Sequence, residues 1–294
     1  MGQFSLPKPD WRIESLQLPG TIWRVLRENG TGHWALELRD TEARTTFFPG
    51  VDHQSWAPMA GSIAQPVGLA EGWWTHLEAV QDGWALLSRY PDPNLPEPLG
   101  LIGVQLAASE NHWYQPTLRY VQANEQGLFA LNAGIREALW QVAIPTGDLL
   151  QEISPDKLPD PETMGLLHPQ LLDESAAAFT QLAGWISELH GKAPIPHLDA
   201  LNLPAPEGHT RLAMSYYLPD TTAQVPDPAE PRHLSHWLWV QDEDKIQHHV
   251  CLARHTQRLA LDPFLFAPSP EDAHESGFLV FRQEATTLAR IQVP

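Results

Sequence analysis

Apolar and polar residues alternate with a two-residue period along most of the chain, in short runs broken by turn residues. Ile22-Trp23-Arg24-Val25-Leu26-Arg27 and Trp34-Ala35-Leu36-Glu37-Leu38-Arg39-Asp40 alternate on either side of Asn29-Gly30-Thr31-Gly32. Asn-Gly favours the positive φ of a tight turn, so these runs predict a hairpin. A second turn, Asp40-Thr41-Glu42, extends it into Arg44-Thr45-Thr46-Phe47-Phe48. The same pattern predicts strands at 82–90, 99–107, 127–132, 137–144 and 149–153, and one extended run at 113–121. Further strands are expected at 210–218, 264–267, 277–282 and 287–293, with a hairpin of 234–240 and 246–254.

One stretch changes period. Leu172, Ala176, Phe179, Ala183, Ile186 and Leu189 fall on one face of a 3.6-residue repeat. A helix over 172–190 is predicted, opened by Asp173 and closed by Gly191. Short strands, frequent turns and a single helix point to an all-β fold. Strand–turn–strand units centre near residues 41, 109, 147, 243 and 285. Two of the gaps match the roughly 40–45 residues of a propeller blade. A blade cannot bury both faces alone, so blades stack. Dividing the 294 residues by such a period predicts a β-propeller-like domain over 1–294, with six or seven blades, some degenerate. The alternative is a split at the Pro-rich stretch 154–170 into 1–153 and 171–294. A closed ring requires paired terminal strands, and then neither half folds alone.

Composition sharpens this picture. Pro makes up 28 of 294 residues, nearly twice the usual ~5%, so elements must be short. Trp (12) outnumbers Phe (9), which suits indoles packed between sheets near their edges. The net charge of −18 argues against nucleic acid and anionic membrane as partners, since both need clustered positive charge. A single cysteine, Cys251, excludes an internal disulfide. No apolar run approaches the roughly 20 residues of a membrane helix, and Met1–Asp10 carries no apolar leader core. The expectation is a cytoplasmic protein.

Two segments partly resemble the blade turn of quinoprotein-like propellers. Val104 to Trp113 has its spacing and its Trp, and Val142 to Asp148 carries Thr146-Gly147. The quinone-carrying propeller enzymes are exported, and many use a vicinal disulfide. A single cysteine does not fit that role, and no cofactor is expected. A broader resemblance rests on Glu37-Leu38-Arg39-Asp40, Gly72-Trp73-Trp74-Thr75-His76-Leu77 and Pro96-Glu97-Pro98-Leu99-Gly100-Leu101-Ile102. Leu261-Asp262-Pro263-Phe264-Leu265-Phe266 and Phe278-Leu279-Val280-Phe281-Arg282 extend it. In these segments the chain resembles an uncharacterised bacterial family, domain of unknown function 4905, mostly from Bacteroidetes. The resemblance implies a soluble bacterial protein of about this length and supplies no catalytic residue.

Three constellations could carry chemistry. His233, His236, His248, His249, Cys251 and His255 gather six soft-metal ligands in one hairpin. A two-residue turn at Glu243-Asp244 sets His236 opposite Cys251, with His249 and Cys251 on one face, and makes His236, His249 and Cys251 the metal candidates. Buried-cysteine packing and surface histidines are the plainer reading. Glu37, Arg39 and Asp40 offer carboxylates beside an arginine, either for acid–base or ligand contacts or as an ordinary ion pair at a turn. Trp73 and Trp74 could wall a ligand or pack between blades. No G-x-S-x-G, Walker loop, G-x-G-x-x-G or H-E-x-x-H occurs. The expected role is a non-enzymatic binding module for a protein or small molecule, through the acidic Pro-rich stretches 154–170 and 219–231. The alternative is a hydrolase or other enzyme with its site at the propeller mouth.

Overall fold

A computed structural model describes residues 13–28, 30–59, 72–90, 97–108, 111–124, 126–134, 137–158, 166–205, 210–219, 234–243, 245–256, 264–268 and 277–293. The chain forms two compact units, residues 18–165 and residues 1–17 with 166–294. The first strand, β1 (Ile13–Gln17), belongs to the second of these.

Unit 18–165 holds three antiparallel sheets. The first contains β2 (Thr21–Arg27), β3 (Trp34–Asp40), β4 (Thr45–Phe47), β5 (Gly50–Asp52) and β6 (Ala57–Pro58), in the order β2-β3-β5-β6 with β4 also on β3. The second is a meander of β7 (Thr75–Gln81), β8 (Trp84–Arg89), β9 (Leu101–Gln105) and β10 (His112–Gln115). The third is a meander of β11 (Leu118–Asn124), β12 (Gly127–Asn132), β13 (Ala138–Val142) and β14 (Leu149–Ile153). Leu87 of β8 packs with Ala35 of the first sheet, and its neighbour Leu86 packs with Leu118 and Leu128 of the third. The middle sheet is therefore apolar on both faces. That is why β8 has a continuous buried run rather than strict alternation.

Trp113 on β10 joins the second and third sheets. Its indole lies across Gly103, its cross-strand partner, where an added Cβ would come within 2.3 Å of the ring. On the third sheet's side Gly147 leaves equally little room, at 2.7 Å, and the indole Nε1–H donates to the Ile144 carbonyl at 2.5 Å. The two segments similar to a quinoprotein blade turn thus meet each other here.

The second unit contains β15 (Gln170–Leu171), α1 (Ala177–His190), β16 (Leu198–Leu203), β17 (Arg211–Pro219), β18 (Leu234–Asp242) and β19 (Lys245–Thr256). Its other strands are β20 (Phe264–Pro268), β21 (Gly277–Arg282) and β22 (Thr287–Val293). One sheet runs β15-β16-β17-β18-β19, the other β1-β22-β21-β20. Leu238, Val240 and Leu252 of the first pack on Phe264, Leu279 and Ile291 of the second. The opposite face, with Met214, Tyr216 and Trp239, is covered by Leu182 and Ile186 of α1. β1 pairs with β22 from Ile13↔Ile291 to Gln17↔Thr287, and Arg290 Nη2 holds Glu14 at 2.6 Å. The terminal strands are therefore paired, as a propeller-like reading requires.

The fold is all-β with one helix among the described residues, and within each unit antiparallel sheets of four or five strands stack face to face in a propeller-like way. The described residues form five sheets, against the six or seven obtained by dividing the length. Equal division ignores chain spent between sheets, such as α1 and the connections around it. The helix starts at Ala177 rather than at 172. Asp173 Oδ1 accepts from the amide and hydroxyl of Ser175, which closes a turn ahead of the helix. Its end is as expected, with Gly191 at φ +67°. The run 113–121 is two strands in two sheets, parted at Pro116-Thr117, since Pro lacks the amide a ladder needs. β1, β5, β6, β7, β15 and β16 lie outside the strands expected from alternation. Most of the expected loops 91–98 and 219–231, and part of 154–170, lie outside the described residues.

Candidate functional site

The aromatic and charged residues singled out near residues 37 and 73 converge in unit 18–165. Glu37 and Arg39 are two apart on β3 and so share a face. Arg39 donates from Nε (2.8 Å) and Nη2 (2.6 Å) to Glu37 Oε1, and the Leu77 amide donates to Glu37 Oε2 at 3.0 Å. This is not a surface pair at a turn. The Glu37 side chain is 0% exposed and that of Arg39 6%. Arg39 Nη1 also donates to the Trp73 carbonyl at 3.3 Å.

The guanidinium lies between two indoles, with its carbon 4.7 Å from the Trp23 centroid and 5.1 Å from that of Trp73. Trp23 reaches this position through a β-bulge. Ile22 pairs with Leu38 and Arg24 with Glu37, which leaves Trp23 unpaired and turned outward. A second bulge on β7 leaves Glu78 unpaired, and Glu78 lies 3.7 Å from Arg24. Trp73 and Trp74 sit in a 3₁₀ turn, Gly72–Trp74, rather than on a strand. The Trp74 carbonyl accepts from the Tyr90 amide at 2.8 Å. Asp40 caps the next turn, its Oδ1 accepting from the amides of Glu42 and Ala43 at 2.9 Å each.

His76 completes the cluster. Its Nδ1 lies 3.1 Å from Arg39 Nη2. A guanidinium has no acceptor, so Nδ1 accepts and Nε2 carries the proton. Burial lowers the His76 pKa further than Glu37 raises it, which favours this neutral tautomer. Its ring meets Tyr90 edge-on at 4.9 Å. Chemically the cluster is a buried, fully engaged ion pair that props up an exposed indole. Every hydrogen bond named for Glu37 is already committed, which leaves it poorly placed for proton transfer.

The histidine-rich hairpin divides differently. Near the turn Asp242 pairs with Lys245, but register shifts move the pairing to Trp237↔Cys251 and His236↔Ala253. His236 does not face Cys251. Adjacent residues on a strand point to opposite faces, so His236 lies away from the face of Trp237, Cys251 and His249. His236 is buried against Ser215, Oγ to Nε2 at 2.7 Å, and stacks on Tyr217 at 4.3 Å. Ser215 is 0% exposed, so this Ser–His pair is closed to an external substrate. His249 meets residues that its own hairpin did not suggest. Its Nε2 lies 2.5 Å from the Tyr216 hydroxyl and 3.3 Å from His190 Nε2, and His190 lies 2.9 Å from the same hydroxyl. Burial raises the Tyr216 pKa and lowers that of His190. The Cys251 thiol donates to the Ala253 carbonyl at 3.4 Å. His233 and the side chains of His248 and His255 lie outside the described residues.

Sequence reasoning passed over Trp23, His76, His190 and Tyr216 as site residues. His190 was readable: it follows Ile186 by four and continues the apolar stripe of α1. The outward turn of Trp23 had no such signal, because a bulge is invisible in the alternation pattern.

No curated protein matches the chain. A solved structure of a member of the DUF4221 family from Bacteroides vulgatus is similar over 96% of each chain, with 9% identity and a TM-score of 0.28. Residues 28–113, which carry Glu37, Arg39, Trp73 and His76, match the family model described as a domain of unknown function, DUF4905.

Proposed function

We propose that the protein is a non-enzymatic binding module that docks a basic partner on a surface centred on Trp23. The observation that carries this reading is Trp23 itself, an indole left 57% exposed yet held by a bulge and by the Arg39 guanidinium. Tryptophan with one face held and the other open is the kind of residue that dominates protein contacts. Charge gives the sign of the partner: at −18 overall the molecule attracts cations over a distance set by salt. A Lys or Arg laid on the open face of Trp23 adds a cation–π contact. The commitment of Glu37 to Arg39 and of Asp40 to its turn supports binding over catalysis. The cytoplasmic setting goes with this reading, with the single cysteine in its support. No helix among the described residues is long and apolar enough to cross a membrane.

The test is a peptide array of basic, neutral and acidic sequences, probed with the wild type and Trp23→Ala at low and high salt. Basic peptides should be retained, less so at high salt. Trp23→Ala should weaken them by about tenfold, ~1.4 kcal/mol. Equal binding by Trp23→Ala, or a preference for acidic peptides, would overturn the reading.

A further inference from the structure

A second cluster in unit 18–165 lies apart from Trp23. β3 and β5 pair through Trp34↔Val51 and Ala35↔Gly50. That register sets His33, just before β3, beside Asp52, the last residue of β5, and His53, the first of the following turn. One ligand atom from each of the three lies within 4.8 Å of the other two, and all three residues are half-buried. His33 Nδ1 stands 3.6 Å from Asp52 Oδ2. That is long for a hydrogen bond. It is close to the spacing of two ligands on one tetrahedral ion, about 3.3–3.6 Å for bonds of about 2.0–2.2 Å. The imidazoles are tilted by 59° with centroids 5.7 Å apart, so they are not simply stacked.

The surroundings hold this arrangement. Asp52 Oδ1 accepts from the amide and hydroxyl of Ser55, both at 2.7 Å, which turns Oδ2 toward His33. These bonds lower the Asp52 pKa, and a ligating carboxylate oriented by its own hydrogen bonds is the usual outer arrangement of a metal site. The segment carrying His33 is pinned from below. Glu28, 1% exposed, accepts from the Gly83 amide at 3.1 Å and from the Thr31 hydroxyl, while its own amide donates to the His33 carbonyl at 2.9 Å. Gly32 has φ +74°, and a Cβ there would press on His53 at 3.4 Å and on Arg27 Nη2 at 3.3 Å. Arg27 therefore sets a fixed positive charge near the cluster. Affinity must come from ligand bonds rather than from a negative field, which disfavours calcium and magnesium.

We propose that His33, Asp52 and His53 form a binding site for a divalent transition metal, with two imidazoles and one carboxylate as protein ligands and the remaining positions open to water. This donor set suits zinc, cobalt or ferrous iron. The site is independent of the docking surface at Trp23.

The experiment is a titration of the full chain with Co²⁺, read by its visible d–d absorption, followed by displacement with Zn²⁺. The wild type should bind one equivalent and lose the band to zinc. His33→Ala and His53→Ala should abolish the band, and Asp52→Asn should weaken it strongly. Ser55→Ala should weaken binding by about tenfold. His190→Ala and His249→Ala should leave it intact. Circular dichroism checks folding; if the histidine variants unfold, Asp52→Asn and Ser55→Ala decide the matter. No band in the wild type, a band unchanged in Asp52→Asn and Ser55→Ala, or loss in His190→Ala or His249→Ala instead, would overturn the proposal.

Discussion

Glu37→Ala is expected to destabilise the protein by about 3–5 kcal/mol, the range for stranding one partner of a buried ion pair. Arg39 would keep its charge at 6% exposure with no carboxylate against it, left to the Trp73 carbonyl, His76 Nδ1 and the Trp23 and Trp73 rings. The Leu77 amide would lose its acceptor as well. Arg39→Ala should cost a similar amount from the opposite side, since Glu37 is fully buried. Glu37→Gln should also be costly, because a carboxamide has one oxygen for three donors. The double variant Glu37→Ala/Arg39→Ala should cost well below the sum of the two, because neither charge is then left alone. Urea unfolding measures all four. A loss under about 1 kcal/mol for Glu37→Ala would show that the pair is not buried as described. The expected loss of about 3–5 kcal/mol is a large part of a typical 5–15 kcal/mol stability. The binding test on Trp23 therefore leaves Glu37 and Arg39 alone.

Acid should weaken the second unit in a way that tracks His236. Burial, then Arg282 and His197, take this imidazole from 6.5 to about 3. The unfolded chain therefore takes up the proton first as pH falls, and stability drops. The contribution is complete above about pH 6.5 and is lost progressively down to about pH 3. Between about pH 7 and about pH 5 the loss from this one group is about 2 kcal/mol. His190, in the same unit and also lowered mainly by burial, acts with the same sign. The check is the urea midpoint followed over this range by a probe in the second unit, for the wild type and His236→Gln. The variant should start lower, because the 2.7 Å contact with Ser215 changes, but should show a shallower acid slope. An unchanged slope would remove His236 from the account.

Local pattern explains which parts of this structure were readable. The runs Ile22–Arg27 and Trp34–Asp40 form β2 and β3 as the local pattern indicates, although the bulge at Trp23 and the continuous burial of β3 replace a strict in–out alternation. Glu37 beside Arg39 follows from the two-residue period of a strand. The face of α1 and its stop at Gly191 are equally local. The shared histidine face was not recoverable. One register shift between Val240 and Gln241 and another between His236 and Trp237 separate His236 from Cys251, and a one-residue slip exchanges the two faces of a strand. Nothing in the composition of the hairpin marks those positions.

By itself, then, the sequence determined the all-β class, most of the strands, the helix with its apolar stripe and C-terminal stop, and the Glu37–Arg39 neighbourhood. Each depends on residues a few positions apart, where backbone geometry dictates direction. Only the tertiary structure decided the rest. It decided that the Glu37–Arg39 pair is buried rather than surface-exposed, that Trp23 turns outward on it, and that His76 reaches it from β7. It also brought His190 to His249 and His33 to Asp52 and His53. These meetings depend on bulges, on sheet order and on pairing between strands distant in sequence. Such pairings are settled by the burial of whole faces, and no short stretch of sequence carries that information.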